Sequence, residues 1–99
     1  MKTMADVRKL DAEKGQFFFS KDNMGFFGSR IESKLCGERF FITSERVNFI
    51  SDKRAYTVRL VDWETGDIRS EPDFQSYKSL DEARQAVKAL AREAKAEAK

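Results

Sequence analysis

The chain has 99 residues, of which 40% are hydrophobic, 12% aromatic and 36% charged, and its formal net charge is +2. This length allows one small domain with a modest core, while the hydrophobic content excludes a disordered chain and the charged content excludes an integral membrane protein. The absence of histidine, together with a single cysteine at Cys36, excludes zinc sites, Cys-His nucleophiles and Ser-His-Asp triads.

The N-terminal part of the chain predicts a short helix followed by a run of aromatic residues. Thr3 is a favourable N-cap, and apolar residues recur at helical spacing until Gly15, which predicts a helix over residues 4–13. Its apolar stripe is narrow, so this helix must pack on another element to be stable. Residues 17–19 are all phenylalanine and are compatible with a strand or a loop, and Ser20 can cap one further helical turn.

A change to a period of two then predicts an antiparallel sheet. Apolar or small residues and charged residues alternate over residues 27–35, and a reversal at residues 37–38 leads into a segment rich in β-forming residues. A hairpin over roughly residues 28–46 follows from this pattern. Residues 48–53 predict a loop, and residues 55–63 alternate cleanly as the next strand.

The turn over residues 64–67 is the strongest turn signal in the chain, because Gly66 supplies a positive φ between two strand-like segments. From Ile68 the chain is therefore predicted to return antiparallel. Pro72 cannot donate a ladder hydrogen bond, so this last strand is either an edge strand or broken before Phe74.

A capping box predicts the start of a C-terminal helix, since the Ser79 hydroxyl can accept from the backbone of Glu82 while the glutamate reaches back. Apolar residues then recur at helical spacing, and residues 94–99 are expected to fray. Residues 1–99 are thus predicted to form one α+β domain with a short N-terminal helix, a three- or four-stranded antiparallel meander and a C-terminal helix on one sheet face. The other face, or an edge, is expected to stay open to a partner.

The order of several motifs along the chain is similar to that of a known family. The motifs are Met1-Lys2-Thr3 with Asp6-Val7-Arg8, Phe17-Phe18-Phe19, the segment from Gly25 to Ile31, the segment from Phe41 to Glu45, the segment from Arg54 to Arg59, and Phe74-Gln75-Ser76-Tyr77. They resemble a family of short, uncharacterised proteins of phages, prophages and conjugative elements, and the resemblance covers most of residues 1–90. It implies a mobile element in a bacterial cytoplasm, where many small proteins occupy a host protein, but no activity, cofactor or catalytic residue.

The sequence points to binding rather than catalysis. Phosphate loops, dinucleotide fingerprints and calcium loops do not occur, and Cys36 has the features of an inert side chain. The first residues lack the apolar run of a secretion signal, and no apolar stretch approaches the roughly 20 residues that span a bilayer. We therefore expect a cytoplasmic, non-enzymatic protein without a metal ion or a cofactor.

The polar face of the predicted hairpin and its neighbouring strand is the candidate contact surface. The residues predicted to bind a partner are Arg30, Glu32, Phe41, Thr43, Glu45 and Arg59. Cross-strand pairing on a solvated face is a simpler explanation for most of them. The first functional hypothesis is a protein-binding module that modulates a host defence or regulatory protein. The alternative is a single-stranded nucleic-acid binder that uses phenylalanine and arginine on the open face, which a net charge of only +2 disfavours.

Eight phenylalanines lie within residues 17–49. Because alternation can bury only one of each adjacent pair, some rings must pack under the N-terminal helix or face outward. Packing in the core is one interpretation of these rings; a protein-binding patch and a surface for base stacking are the others.

Overall fold

The computed structural model describes residues 2–26, 28–48, 50 and 52–97. Its elements in chain order are α1 (Met4–Glu13), α2 (Lys21–Phe26), β1 (Arg30–Ile31), β2 (Phe40–Arg46), β3 (Arg54–Val61), β4 (Ile68–Ser70) and α3 (Leu80–Glu97). The four strands form one antiparallel sheet in the order β1-β2-β3-β4. The predicted α+β class and meander order are therefore confirmed.

The two N-terminal helices begin at the predicted capping residues. The Thr3 hydroxyl accepts from the Asp6 backbone N–H at 3.4 Å, and the Asp6 carboxylate accepts from the Thr3 backbone N–H at 2.8 Å, so α1 starts with a capping box. This bonding of the carboxylate lowers the pKa of Asp6. Ser20 caps α2 by accepting from the Asn23 backbone N–H at 3.2 Å. Between the helices, residues 17–19 form a loop and not a strand.

The C-terminal helix α3 begins one residue after Ser79, as predicted. The Ser79 hydroxyl accepts from the Glu82 backbone N–H at 3.2 Å. The Glu82 carboxylate, however, accepts from the Lys78 backbone N–H at 3.0 Å and does not bond the backbone of Ser79, so the box closes one residue earlier than predicted. Of the tail that was expected to fray, the backbone of residues 94–97 is helical, and residues 98–99 lie outside the described part.

We expect Ser79→Ala to lower the free energy of unfolding by about 1 kcal/mol, because it leaves the Glu82 backbone N–H without its side-chain acceptor. Ser79→Thr, which keeps a hydroxyl at the cap, is the matched control and is expected to retain most of the stability. Urea denaturation of both variants measures the difference. An unchanged midpoint for Ser79→Ala would show that this cap contributes nothing to the domain.

The first strand is much shorter than the hairpin pattern predicts. The ladder between β1 and β2 pairs Arg30 with Ser44 and Ile31 with Thr43. Beyond it, the Ile42 backbone N–H donates to the Ser33 side-chain hydroxyl at 2.9 Å instead of to a backbone carbonyl. A side chain thus takes the place of one ladder acceptor, while the Glu32 backbone N–H still donates to the Ile42 carbonyl at 2.8 Å. The chain reverses at the predicted residues 37–38, which both have positive φ. Phe27, where the predicted alternation begins, lies outside the described residues.

The last strand confirms both interpretations of Pro72, since β4 lies at the sheet edge and ends at Ser70. The preceding turn is held by the Asp62 carboxylate, which accepts from the backbone N–H groups of Glu64 and Thr65 at 2.9 and 3.3 Å. These two bonds lower the pKa of Asp62.

The expectation of an open sheet face is wrong, because both faces carry an apolar cluster. On one face α3 covers a core of five buried residues, namely Phe40, Ile42, Val58, Ala83 and Val87. On the other face α1 and the loop after it cover a core of Val7, Phe41 and Val61, against which Phe18 and Phe19 pack. Adjacent phenylalanines at positions 40 and 41 place one large ring on each face, and each ring has to be buried.

Candidate functional site

On the sheet face that α1 and the loop after it cover, the half beyond Phe41 is polar and also buried. Glu45, Thr43 and Thr57 are at most 1% exposed. Glu45 forms an ion pair with Arg59, with 3.4 Å between Oε2 and Nη2, and accepts from the Thr57 hydroxyl at 3.0 Å. Buried charges persist in proteins when they are paired and hydrogen-bonded in this way.

All three nitrogen atoms of the Arg59 guanidinium group contact polar atoms of the protein. Its Nε donates to the Thr43 hydroxyl at 3.0 Å and its Nη1 to the Ser70 hydroxyl at 3.1 Å, in addition to the ion pair with Glu45. Burial lowers the pKa of Arg59, and the Glu45 carboxylate acts against that shift. Arginine nevertheless keeps its charge in proteins, so the pair is ionic.

Aromatic rings flank this guanidinium. The Arg59 Cζ lies 5.2 Å from the ring centroid of Phe18 and 5.4 Å from that of Phe74, which are distances typical of cation–π contacts. Phe74 reaches this position because the loop after β4 is anchored to the sheet. The Gln75 backbone N–H donates to the Thr57 hydroxyl at 2.9 Å, and the Gln75 side-chain amide donates to the Arg46 carbonyl at 3.0 Å.

A cavity of about 210 Å³ opens above the ion pair, and we call it the aromatic cavity. Its apolar walls are Phe18, Met24, Phe26 and Phe74, with Asn23 and Ser29 at its margin and with Glu45 and Arg59 as its floor. Phe26 is 60% exposed and Phe74 is 45% exposed. The cavity therefore combines accessible rings with a polar floor whose hydrogen bonds are made within the protein.

A second, wider depression of about 770 Å³ adjoins the aromatic cavity and shares Met24 and Ser29 with it. We call it the basic groove. Its charged lining comprises four cations and one carboxylate, namely Lys21, Arg30, Arg46, Arg54 and Asp52. A local excess of positive charge thus exists on a chain whose net charge is only +2.

The structure separates the six residues predicted to bind a partner. Phe41, Thr43 and Glu45 are fully buried, and the Arg59 side chain is 11% exposed, so these four do not form an open sheet surface. Of them, Glu45 and Arg59 line the aromatic cavity. The other two lie near the basic groove. Arg30 is exposed and lines it, whereas Glu32 is half-buried and accepts from the Ser44 hydroxyl at 2.6 Å.

Neither accessible ring of the site is among the residues predicted to bind a partner, although a protein-binding patch was one interpretation of the phenylalanine cluster that includes Phe26. The expectation that some rings face outward is confirmed. Phe26 sits at the end of a helix too short to show a periodicity, and Phe74 lies in an irregular loop after Pro72. Only the general surplus of phenylalanine signalled that some rings would be exposed. Phe17, which is 73% exposed, is a third such ring and does not line the aromatic cavity.

The described part of the chain gives little support for a reactive cysteine, a metal site or a membrane-spanning helix. Cys36 is half-buried, and its thiol donates to the Lys34 carbonyl at 3.4 Å. Among the residues that the structure describes, no group of three or more cysteine, aspartate or glutamate side chains could hold a metal ion. Within the same residues, no helix has both the length and the apolar character that crossing a bilayer requires.

No curated protein and no solved structure matches the chain. One family model does match, over residues 3–88, and its description is a family of unknown function, DUF7447. The match spans α1, the whole sheet, the loop that carries Phe74 and the first half of α3. The chain therefore belongs to the DUF7447 family.

Proposed function

We propose that this protein is a non-enzymatic protein-binding module that holds its partner at the aromatic cavity. The observation that carries the proposal is the exposure of Phe26 and Phe74, 60% and 45%, on the walls of one concave site. Exposed aromatic side chains around a depression are typical anchors of protein interfaces, because each buries a large apolar area and has few rotatable bonds. These rings replace the predicted sheet-face residues as the main candidates for contact.

The size of the cavity supports a protein partner over a small-molecule substrate. Pockets for cofactors and drug-sized ligands usually occupy about 300–1,000 Å³. At about 210 Å³ the aromatic cavity is smaller and suits one inserted side chain. Its floor is preorganised by the Arg59–Glu45 pair, so an inserted group would meet fixed polar atoms below aromatic walls.

The setting of this activity is part of the same proposal. The resemblance to proteins of phages and conjugative elements supports a bacterial host protein as the partner, with modulation of a defence or regulatory system as the outcome. A cytoplasmic location accords with that setting. The lack of histidine supports a role without catalysis, since no side chain in the chain has an unperturbed pKa near neutrality.

The test is capture of partners from a bacterial lysate by the immobilised protein, followed by mass spectrometry. We expect the Phe26→Ser/Phe74→Ser double variant to lose the proteins that the wild type retains, since removing a central aromatic anchor costs about 2 kcal/mol or more of binding energy. Phe17→Ser is the matched control, because Phe17 is exposed but lies outside the cavity. Equal capture by the double variant, with an unchanged thermal midpoint, would contradict the proposal.

Binding of a single-stranded nucleic acid is a second candidate, favoured by the basic groove beside the aromatic cavity. Bases stack on exposed rings, and cations follow the phosphate backbone. A fluorescence titration with a single-stranded oligonucleotide at low and physiological salt separates the two candidates. Binding that weakens steeply with salt and on replacing Phe26 would support this candidate, and no binding even at low salt would exclude it.

A further inference from the structure

Two arginines face each other directly across the sheet in the basic groove. Arg46 of β2 and Arg54 of β3 are paired in the ladder register. Like charges that lie directly opposite on neighbouring strands destabilise a sheet. Within the described residues, neither guanidinium forms an ion pair with a carboxylate. The repulsion between them is therefore not relieved by a partner in this part of the chain.

The two guanidinium groups converge on one point at Gly28. A Cβ atom built on this residue would lie 3.3 Å from Arg46 Nε and 3.7 Å from Arg54 Nη1. Gly28 also has a φ of +63°, which side chains other than glycine rarely adopt. The absence of a side chain here lets both cations approach the same small volume.

Arg54 is held in place by neutral acceptors. Its Nε donates to the Ser44 hydroxyl at 3.0 Å, and its Nη2 donates to the carbonyl oxygens of Ser44 and Gly28. These bonds fix the plane of the guanidinium without neutralising its charge. A cation that is already fixed costs little further ordering when an anion binds, and this favours binding. The Glu32 carboxylate, which accepts from the Ser44 hydroxyl at 2.6 Å, reaches Arg54 only through that hydroxyl.

We propose that the basic groove binds a phosphate group between Arg46 and Arg54. Arginine suits this ligand because its N–H donors match the oxygens of phosphate. Arg54 has its Nη1 left for this role, since its Nε and Nη2 already donate to the protein. Lys21 and Arg30 add two further positive charges to the lining against the single carboxylate of Asp52, an excess that favours a doubly charged anion. The groove, at about 770 Å³, also has room for a molecule attached to the phosphate.

The first experiment is calorimetric titration of the full chain with inorganic phosphate at constant ionic strength, adjusted with sodium chloride. We expect saturable binding by the wild type, and binding about tenfold or more weaker in Arg46→Gln, because hydrogen bonds between charged groups are among the strongest. Arg69→Gln is the control for the loss of one charge, since Arg69 lies on β4 and pairs with Asp62 instead. It is expected to bind phosphate like the wild type.

A second readout separates a binding role from a structural one. If Arg46 serves to bind an anion, Arg46→Gln relieves the repulsion with Arg54 and its thermal midpoint without phosphate is equal to or above that of the wild type. A clearly lower midpoint would show that Arg46 serves packing and would overturn the proposal. Equal phosphate affinity in Arg46→Gln and the wild type, or no binding of millimolar phosphate by the wild type, would overturn it as well.

The source of the phosphate group is distinguished by the choice of titrant. A nucleoside monophosphate that binds more tightly than inorganic phosphate, while the free nucleoside does not bind, would indicate a phosphorylated organic molecule as the ligand. Equal affinities for the monophosphate and for inorganic phosphate would assign the site to the free anion. Both outcomes require Arg46→Gln to weaken the binding.

Discussion

Replacing Glu45 with alanine is expected to destabilise the domain by about 3–5 kcal/mol, because the substitution leaves a buried arginine without its counter-ion. The Arg59 side chain is 11% exposed and is enclosed by Phe18 and Phe74, so water cannot replace the lost carboxylate fully. The Thr57 hydroxyl loses its acceptor in the same step. Urea denaturation with a linear extrapolation to water measures the change.

The exposed pair between Arg69 and Asp62 provides a matched control for this prediction. Its side chains are 61% and 29% exposed, and its atoms lie at a similar separation of 3.5 Å. Arg69→Ala is expected to cost less than about 1 kcal/mol, because solvent screens a surface pair. If both substitutions had the same small effect, the buried pair would not be a structural element of the site.

A double variant shows whether the pair is retained for stability. We expect Glu45→Met/Arg59→Leu to be about as stable as the wild type or more stable, since replacing a buried ion pair with apolar side chains of similar volume is often neutral or stabilising. That result would imply that the charges are kept for the floor of the aromatic cavity and not for the fold. A double variant as unstable as Glu45→Ala would instead show that the ion pair and its hydrogen bonds stabilise the fold.

Helix ends were the most predictable part of this fold, because they depend on neighbours in sequence. A hydroxyl at Thr3 or Ser79 meets a backbone N–H three residues later in the same helix, so the pattern of residues contains the contact. The extent of β1 was not predictable in this way. Its ladder ends where the Ser33 hydroxyl bonds the Ile42 backbone, a contact that only the folded hairpin creates.

The burial of the polar residues could not be predicted from alternation. A period of two places Thr43, Glu45 and Arg59 on one face and gives no indication of what covers that face. The cover comes from the Phe18 segment and from the loop that carries Phe74, which lie on opposite sides of these strands in sequence. Charged side chains are rarely buried without a partner, so a solvated face was the reasonable expectation until the partner was visible.

The candidate site has the same origin in non-local contacts. Phe26 and Phe74 belong to different elements, and only the anchoring of Gln75 to Thr57 and Arg46 brings the second ring over the sheet. The two arginines of the basic groove are similar, since their opposition depends on the register of β2 and β3. Sequence patterns gave the residue types of the site, and the tertiary fold determines which of them are accessible.

Phe41 tests most directly whether the sheet face under α1 is covered, because the exposure of its ring decides whether it can contact a partner. The ring is fully buried, lies 6.1 Å from that of Phe18 in an edge-on arrangement and is stacked on Phe19 at 6.2 Å. We expect Phe41→Ala to destabilise the domain by about 3–5 kcal/mol, through lost apolar contact and the cavity left behind. In a domain of this size each kcal/mol lowers the thermal midpoint by about 4–8 °C, so calorimetry resolves the effect.

Phe17→Ala is the control for this prediction, because it removes the same ring from a side chain that is 73% exposed. Its effect is expected to stay within about 0.5 kcal/mol, as for most surface substitutions. A stable Phe41→Ala variant that loses its partner would contradict the burial of this ring under α1. It would restore Phe41 as a contact residue. A variant that unfolds while Phe17→Ala does not would support a core role for Phe41, and the proposed contacts would stay with the exposed rings of Phe26 and Phe74.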